Sequence, residues 1–246
     1  MTLGYVLSLG FTLGGDLLIG GNYSAAAIWR LRAGRLEPVA GTGHSADRGD
    51  GGPALGATIY GQAGLGYDGA GNLDIADWND GRIRRIKPDG TIESYGTAPP
   101  RPFGFAVDRA GNAYVVSNNV AGTRIYRIAP DGTGTIIAGS GGLGGSGGDG
   151  GPAINAGFGS VTALTLEADG SLYLLDADHR VIRRIDPSGI VTTIAGTGHS
   201  GYTGDGGDAL AADLGDSPVY LAAGPAGSLY LATNFPSTVR KLTPVP

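Results

Sequence analysis

GSLYLLDADHRVIRRIDPSGIVTTIAG, residues Gly170 to Gly196, reads as three short strands divided by tight turns. Leu172–Leu175 is an apolar run, Val181–Ile185 is a second run holding Arg183 and Arg184, and Ile190–Ala195 is rich in β-branched residues. Asp-Ala-Asp-His ends the first run and Asp-Pro-Ser-Gly the second, combinations that turn the chain rather than extend it. Just upstream, Ala163–Glu167 supplies a fourth strand, closed by Ala-Asp-Gly. Four antiparallel strands joined by tight turns make one twisted sheet.

Outward from this stretch the pattern repeats, and the repeat governs everything else. The glycine that opens the second strand recurs as Gly15, Gly71, Gly111, Gly170 and Gly227. The copies read GDLLIGG, GNLDIAD, GNAYVVS, GSLYLLD and GSLYLAT, followed by third strands IWRL from Ile28, IRRI from Ile83, IYRI from Ile125, IRRI from Ile182 and VRKL from Val239. Turns at Pro88–Gly90, Pro130–Gly132 and Pro187–Gly189 then use Pro to preset the bend and Gly to close it. A four-stranded unit of this size cannot cover both faces of its sheet alone, whereas radial stacking covers both and leaves only short edges. The reading is therefore one all-β domain over 1–246, a β-propeller of five blades near 6–43, 62–97, 101–139, 161–196 and 218–246. The fifth copy stops at Pro246, where its outer strand should begin, and Met1–Leu7 is too short to replace it. The expectation is five blades with an imperfect closure, the alternative a piece of a six-bladed parent.

GNLDIADWNDGRIRRIKPDGTI from Gly71, IVTTIAGTGHSGYTGDGG from Ile190 and the GDGGPA strings at Gly49 and Gly148 resemble NHL-repeat blades of the bacterial and teneurin-like kind. The resemblance covers nearly the whole chain and implies the propeller. It does not imply one activity, because NHL-type propellers include RNA-binding domains, adhesion modules and an amidating lyase. Related propellers include streptogramin lyase and strictosidine synthase-like enzymes. Fold and function separate here.

Composition narrows the classes. The 48 Gly fall at fixed places between apolar runs, so they mark turns rather than low-complexity disorder. With net charge −5 and Arg pairs confined to equivalent strand positions, a nucleic-acid partner is not expected. There is no Cys, hence no disulfide framework or thiolate chemistry. No apolar run is long enough to span a bilayer, and Met1–Leu13 lacks the marks of an export signal. The protein reads as soluble and cytoplasmic as encoded, or secreted if its N-terminus is cut from a longer chain. The G-x-S-x-G string at Gly144–Gly148 lies in a glycine-rich stretch that does not link a strand to a helix, and no P-loop or Cys/His zinc cluster is present.

Candidate chemistry comes from places where the copies differ along one rim. His179, Asp77 and Asp176 follow the second strand and are the catalytic candidates, with His179 or a rim Asp as base. Tyr23, Trp78, Asn118, Asn119 and Phe235 fall at the same turns, and a mouth of aromatics beside a few polar groups suits a small ligand. Arg101 and Phe103 flank a short junction that lacks the GDGG loop, where Arg101 would anchor an anion or carbonyl. Each has a structural alternative: blade-end cover for the aromatics, turn closure for the Asp residues, a solvated side chain for Arg101. Asp50, Asp149 and Asp205 of the GDGG loops, with His44 and His199, are metal candidates; the competing reading is an Asp that caps its own loop. No cofactor is evident, and a divalent cation, Ca²⁺ or Mg²⁺, is the one considered. The expected function is a small-molecule site at the channel mouth, with a lyase, cyclase or hydrolase activity and no redox cofactor. The alternative is a non-catalytic scaffold whose partner is a protein or peptide.

Overall fold

The computed structural model describes residues 6–21, 26–44, 48–59, 62–77, 81–97, 102–119, 121–141 and 145–243. Five antiparallel sheets follow one another along the chain as meanders. The first holds β1 (Val6–Phe11), β2 (Leu17–Gly21), β3 (Ala26–Arg32) and β4 (Arg35–Gly43). The second holds β5 (Gln62–Tyr67), β6 (Leu73–Asp77), β7 (Arg82–Ile86) and β8 (Ile92–Thr97). The third holds β9 (Gly104–Val107), β10 (Ala113–Asn119), β11 (Gly122–Ile128) and β12 (Gly134–Ala138). The fourth holds β13 (Val161–Leu166), β14 (Leu172–Asp176), β15 (Val181–Ile185) and β16 (Val191–Ala195). The fifth holds β17 (Pro218–Ala223), β18 (Leu229–Thr233) and β19 (Thr238–Leu242), and among the described residues it has no fourth strand. The fold is a five-bladed β-propeller. Among the described residues helical geometry is confined to short 3-10 turns, and no helix there is long and apolar enough to cross a membrane.

The chain forms two compact units, residues 1–115 with 127–135 and residues 116–126 with 136–246. In the first unit, Leu18, Ile28, Ile59, Ile75, Ile86 and Ile92 build a core with Ala54 and Ala57. In the second, Leu175, Ile182, Leu214, Leu221 and Leu231 do so with Ala195 and Ala212. Each fully buried aliphatic side chain contributes about 1.5–3 kcal/mol. Strand alternation supplies these residues, and each core lies between two neighbouring sheets, the first and second in one unit and the fourth and fifth in the other. First strands of adjacent blades approach closely: a Cβ on Gly64 of β5 would lie 2.5 Å from the Cβ of Phe105 on β9. Glycine is required there by contact, not by a turn.

Candidate functional site

β14 ends in Asp176, whose side chain is wholly buried. The following turn returns the chain so that His179 Nδ1 lies 2.9 Å from Asp176 Oδ1, with the imidazole partly exposed. Towards a carboxylate oxygen Nδ1 acts as donor, which fixes the tautomer and leaves the Nε2 lone pair available. The Asp is held in turn. Its Oδ1 also accepts the His179 backbone N–H at 3.3 Å, and its Oδ2 accepts the Gly159 N–H at 3.1 Å.

The support extends into the third blade through residues of the same unit. Thr123 Oγ1 lies 2.5 Å from the Gly159 carbonyl and 2.8 Å from Asn118 Oδ1. Asn118 Nδ2 donates to the Val161 carbonyl at 2.9 Å, and Ser160 N donates to Asp178 Oδ2 at 2.9 Å. Gly159 lies under the pair: a Cβ there would meet Asp176 Oδ1 at 2.7 Å and His179 Nδ1 at 2.9 Å. One strained residue adjoins the pair. Arg180 has φ 52°, as Gly81 has φ 71° at the matching place in the second copy. Side chains bearing a Cβ disfavour that region by roughly 1–2 kcal/mol, and such strain concentrates at functional sites. The Arg180 Nε makes no hydrogen bond and lies 3.9 Å from Asp216 Oδ1.

The other sequence candidates do not all join this group. Asp77 is wholly buried at the end of β6, but it belongs to the first unit, and the sequence carries Asp80 where the fourth copy has His179. Asn119 is exposed and accepts the Ala121 N–H at 2.8 Å, a local turn bond. Phe103 and Phe235 are exposed. Tyr23, Trp78 and Arg101 lie outside the described residues. Of the residues that sequence reasoning missed, Gly159, Ser160 and Thr123 act only through spatial partners. Arg180 left a signal, since it replaces a turn glycine.

The GDGG aspartates are engaged by arginines. Asp50 Oδ1 takes Arg84 Nη2 at 2.7 Å, Asp149 Oδ1 takes Arg183 Nη2 at 2.6 Å, and Asp205 Oδ1 takes Arg240 Nη2 at 2.6 Å. Each arginine also donates Nη1 to a carbonyl in the same junction: Thr58 at 2.7 Å, Gly157 at 2.6 Å and Asp213 at 2.7 Å. Burial pushes the Asp149 carboxyl up, but hydrogen bonds from Thr193 and Arg183 outweigh it and hold the group below its ordinary value. Asp50 is held down in the same way by Ser94 and Arg84. These carboxylates clip one blade's entry loop to its third strand, rather than capping their own loop. His44 and His199 are exposed. Among the described residues no three His, Asp or Glu side chains gather as a metal site would require.

No family model matches the chain. Many solved structures share the fold, among them the three that follow. A streptogramin B lyase is 16% identical, with 96% of this chain matched to 64% of that one at a TM-score of 0.57. A catalytically inactive histidine-to-alanine variant of virginiamycin B lyase from Staphylococcus aureus with quinupristin is 18% identical, with 98% matched to 71% at 0.59. An auxiliary nutrient binding protein from Bacteroides ovatus is 17% identical, with 100% matched to 60% at 0.69. This chain therefore spans under two thirds of the streptogramin B lyase and of the nutrient binding protein. At such identities the likeness carries the fold alone.

Proposed function

We propose that this propeller binds a small molecule beside the end of β14 and acts on it by general-base elimination or hydrolysis. His179 is the base and Asp176 its positioning residue. The observation that carries the reading is the contact between His179 Nδ1 and the wholly buried Asp176 at 2.9 Å, which pre-orients an imidazole whose Nε2 has no partner among the described residues. Arg180, kept at a strained φ beside the base, would hold negative charge that develops as the proton leaves. A propeller lyase that loses activity when a histidine becomes alanine supports the choice of residue type.

The test uses quinupristin and a panel of simple lactones, with products followed by mass spectrometry. A positioned base contributes about 10²–10⁴-fold, so His179→Ala should lower turnover by at least about 100-fold with little change in Tm. Asp176→Asn should lower it as well, since the amide can present its N–H to Nδ1 and reverse the tautomer. Turnover by the parent chain that survives His179→Ala would overturn the assignment, as would no turnover of any substrate in the panel. A scaffold role is the second reading, favoured by Leu9, Phe11 and Leu13, which are 61%, 68% and 69% exposed in the first unit.

A further inference from the structure

The hairpin by which the third blade reaches the site is longer than its counterpart in the fourth. β14 stops at Asp176, but β10 runs past Ser117, the residue at the same repeat position, to Asn119. β11 starts correspondingly early, at Gly122, so that both strands of this hairpin have 7 residues where β14 and β15 have 5. Asn118 and Thr123 stand on the overhang and bond to each other, Thr123 Oγ1 to Asn118 Oδ1 at 2.8 Å. Asn118 meets Val161 as the backbone of a paired strand would. Its Nδ2 donates to the Val161 carbonyl at 2.9 Å, and its Oδ1 accepts the Val161 N–H at 3.3 Å. The overhang is thereby fixed against the segment that enters the fourth blade.

That segment carries the turn of the base. Gly159 N donates to Asp176 Oδ2 at 3.1 Å, Ser160 N to Asp178 Oδ2 at 2.9 Å, and Ala177 N to the Ser160 carbonyl at 2.9 Å. Residues 176–178 thus hang from Gly159 and Ser160, and His179 is next in the chain. The peptide joining Gly159 to Ser160 is held at both ends: its N–H goes to Asp178, and its carbonyl accepts Thr123 Oγ1 at 2.5 Å. Among the described residues no other group donates to that carbonyl. Thr123 is 6% exposed and Gly159 is buried, so solvent does not stand ready to replace the hydroxyl. A buried carbonyl without a donor is unfavourable, and a peptide that loses its donor turns to find another.

We infer that Thr123 is a positioning residue for His179, acting from the neighbouring blade through the Gly159–Ser160 peptide. The inference rests on His179 being the base proposed above. Without the hydroxyl, the peptide loses the bond that opposes Asp178, and its rotation shifts the supports of both Asp178 and Asp176. The contact from His179 Nδ1 to Asp176 Oδ1 then lengthens, and the imidazole takes either tautomer. In the wrong tautomer Nε2 carries the proton and cannot accept one, so the loss falls on the chemical step rather than on substrate binding. The repeat alone does not require a hydroxyl here: at the place of Thr123 the second copy has Gly81 and the fourth Arg180.

The test compares Thr123→Val, Thr123→Ser and Ile185→Ala with the parent chain. Valine keeps the β-branched shape and removes the hydroxyl, while serine keeps the hydroxyl. Ile185 is buried and pairs with Leu172, at the other end of the fourth sheet from the Asp176–Val181 pair, so its truncation loosens the core without touching the polar network. Imidazole ¹⁵N shifts, assigned to His179 by their loss in His179→Ala, report the tautomer with no substrate present. The expected result is a single Nδ1–H tautomer in the parent, Thr123→Ser and Ile185→Ala, and a mixture in Thr123→Val. On a substrate that the parent turns over, Thr123→Val should lower kcat about tenfold or more with KM nearly unchanged. A single tautomer in Thr123→Val overturns the inference. So does a mixture in the parent, in Thr123→Ser or in Ile185→Ala, since the hydroxyl would then not be what fixes the ring. An unchanged kcat in Thr123→Val overturns it as well. If the parent turns over nothing, the assignment of the base fails, and the tautomers decide the role of Thr123 by themselves.

Discussion

Gly159 shows how little room the His179–Asp176 pair has. Alanine there would place a methyl carbon 2.7 Å from Asp176 Oδ1, 2.7 Å from the Asp178 Cβ and 2.9 Å from His179 Nδ1. Asp176 is wholly buried and cannot retreat into solvent, so the more exposed imidazole is the group that moves. Gly159→Ala should cost about 1–3 kcal/mol of stability, the usual range for overpacking, and should separate His179 from its partner. The check is the pair of imidazole ¹⁵N shifts, which distinguish an Nδ1–H tautomer from a mixture. The parent should show one tautomer and the variant a mixture, while unchanged shifts would mean that the turn yields and the pair survives. His179 itself was legible because it departs from its sister copies. Gly159 was not, since one glycine before a strand, among 48 glycines in the chain, gives no sign of what lies above it.

At the scale of the element, the GDGG loop and the third strand form one device. The sequence records their coupling. Where a GDGG loop precedes a blade, the third strand carries Arg84, Arg183 or Arg240; the third blade has no such loop before it and carries Tyr126 at that place. Motif and arginine were each visible, but 34 or 35 residues part each Asp from its Arg, and only the folded sheet brings them to hydrogen-bond distance. Arg183 is 1% exposed, so Asp149→Ala leaves a buried guanidinium with only carbonyl partners and the Phe158 ring, 4.8 Å from its centre. Breaking such a pair from one side costs a few kcal/mol, and the half-exposed carboxylate reduces that to about 2 kcal/mol here. Asp205→Ala should cost clearly less, because Asp205 is 70% exposed and holds no outer strand among the described residues. Urea midpoints of the two variants measured side by side test this order. Equal losses would mean that the clip acts only as a local charge pair.

Across the whole molecule the same carboxylates set how stability depends on acidity. Blade architecture was readable from the recurrence of short strands and turn signals, but the sign of this dependence needs the hydrogen bonds. Asp89 accepts the Thr91 hydroxyl and N–H two residues on, Asp131 accepts the Thr133 N–H, and Asp186 accepts from Ser188 and Ile190; these bonds hold all three carboxyls below their ordinary value. Asp169 and Asp213 are held down by bonds from Ser171 and from Thr197 and Thr203, and Glu37 by Arg30. Asp50 and Asp149 join them through the clips. Asp74 alone of the shifted carboxyls goes the other way, lifted by burial against the bonds from Arg85. A group lowered in the folded state binds protons more readily when unfolded, so its contribution is present above the unfolded value near 4 and is lost as pH falls through the folded one. Asp74 has the opposite sign, adding stability at low pH that is lost as pH rises, and one group against eight does not reverse the balance. Tm should therefore stay nearly flat from pH 8 to about 5 and fall steeply below about 4. A thermal series across that range checks it, with Asp50→Ala/Asp149→Ala as the comparison. The double variant should begin from a lower Tm and lose less of it on acidification, because two of the titrating groups are gone. A parallel decline in parent and variant would assign the acid sensitivity to the turn aspartates instead of the clips.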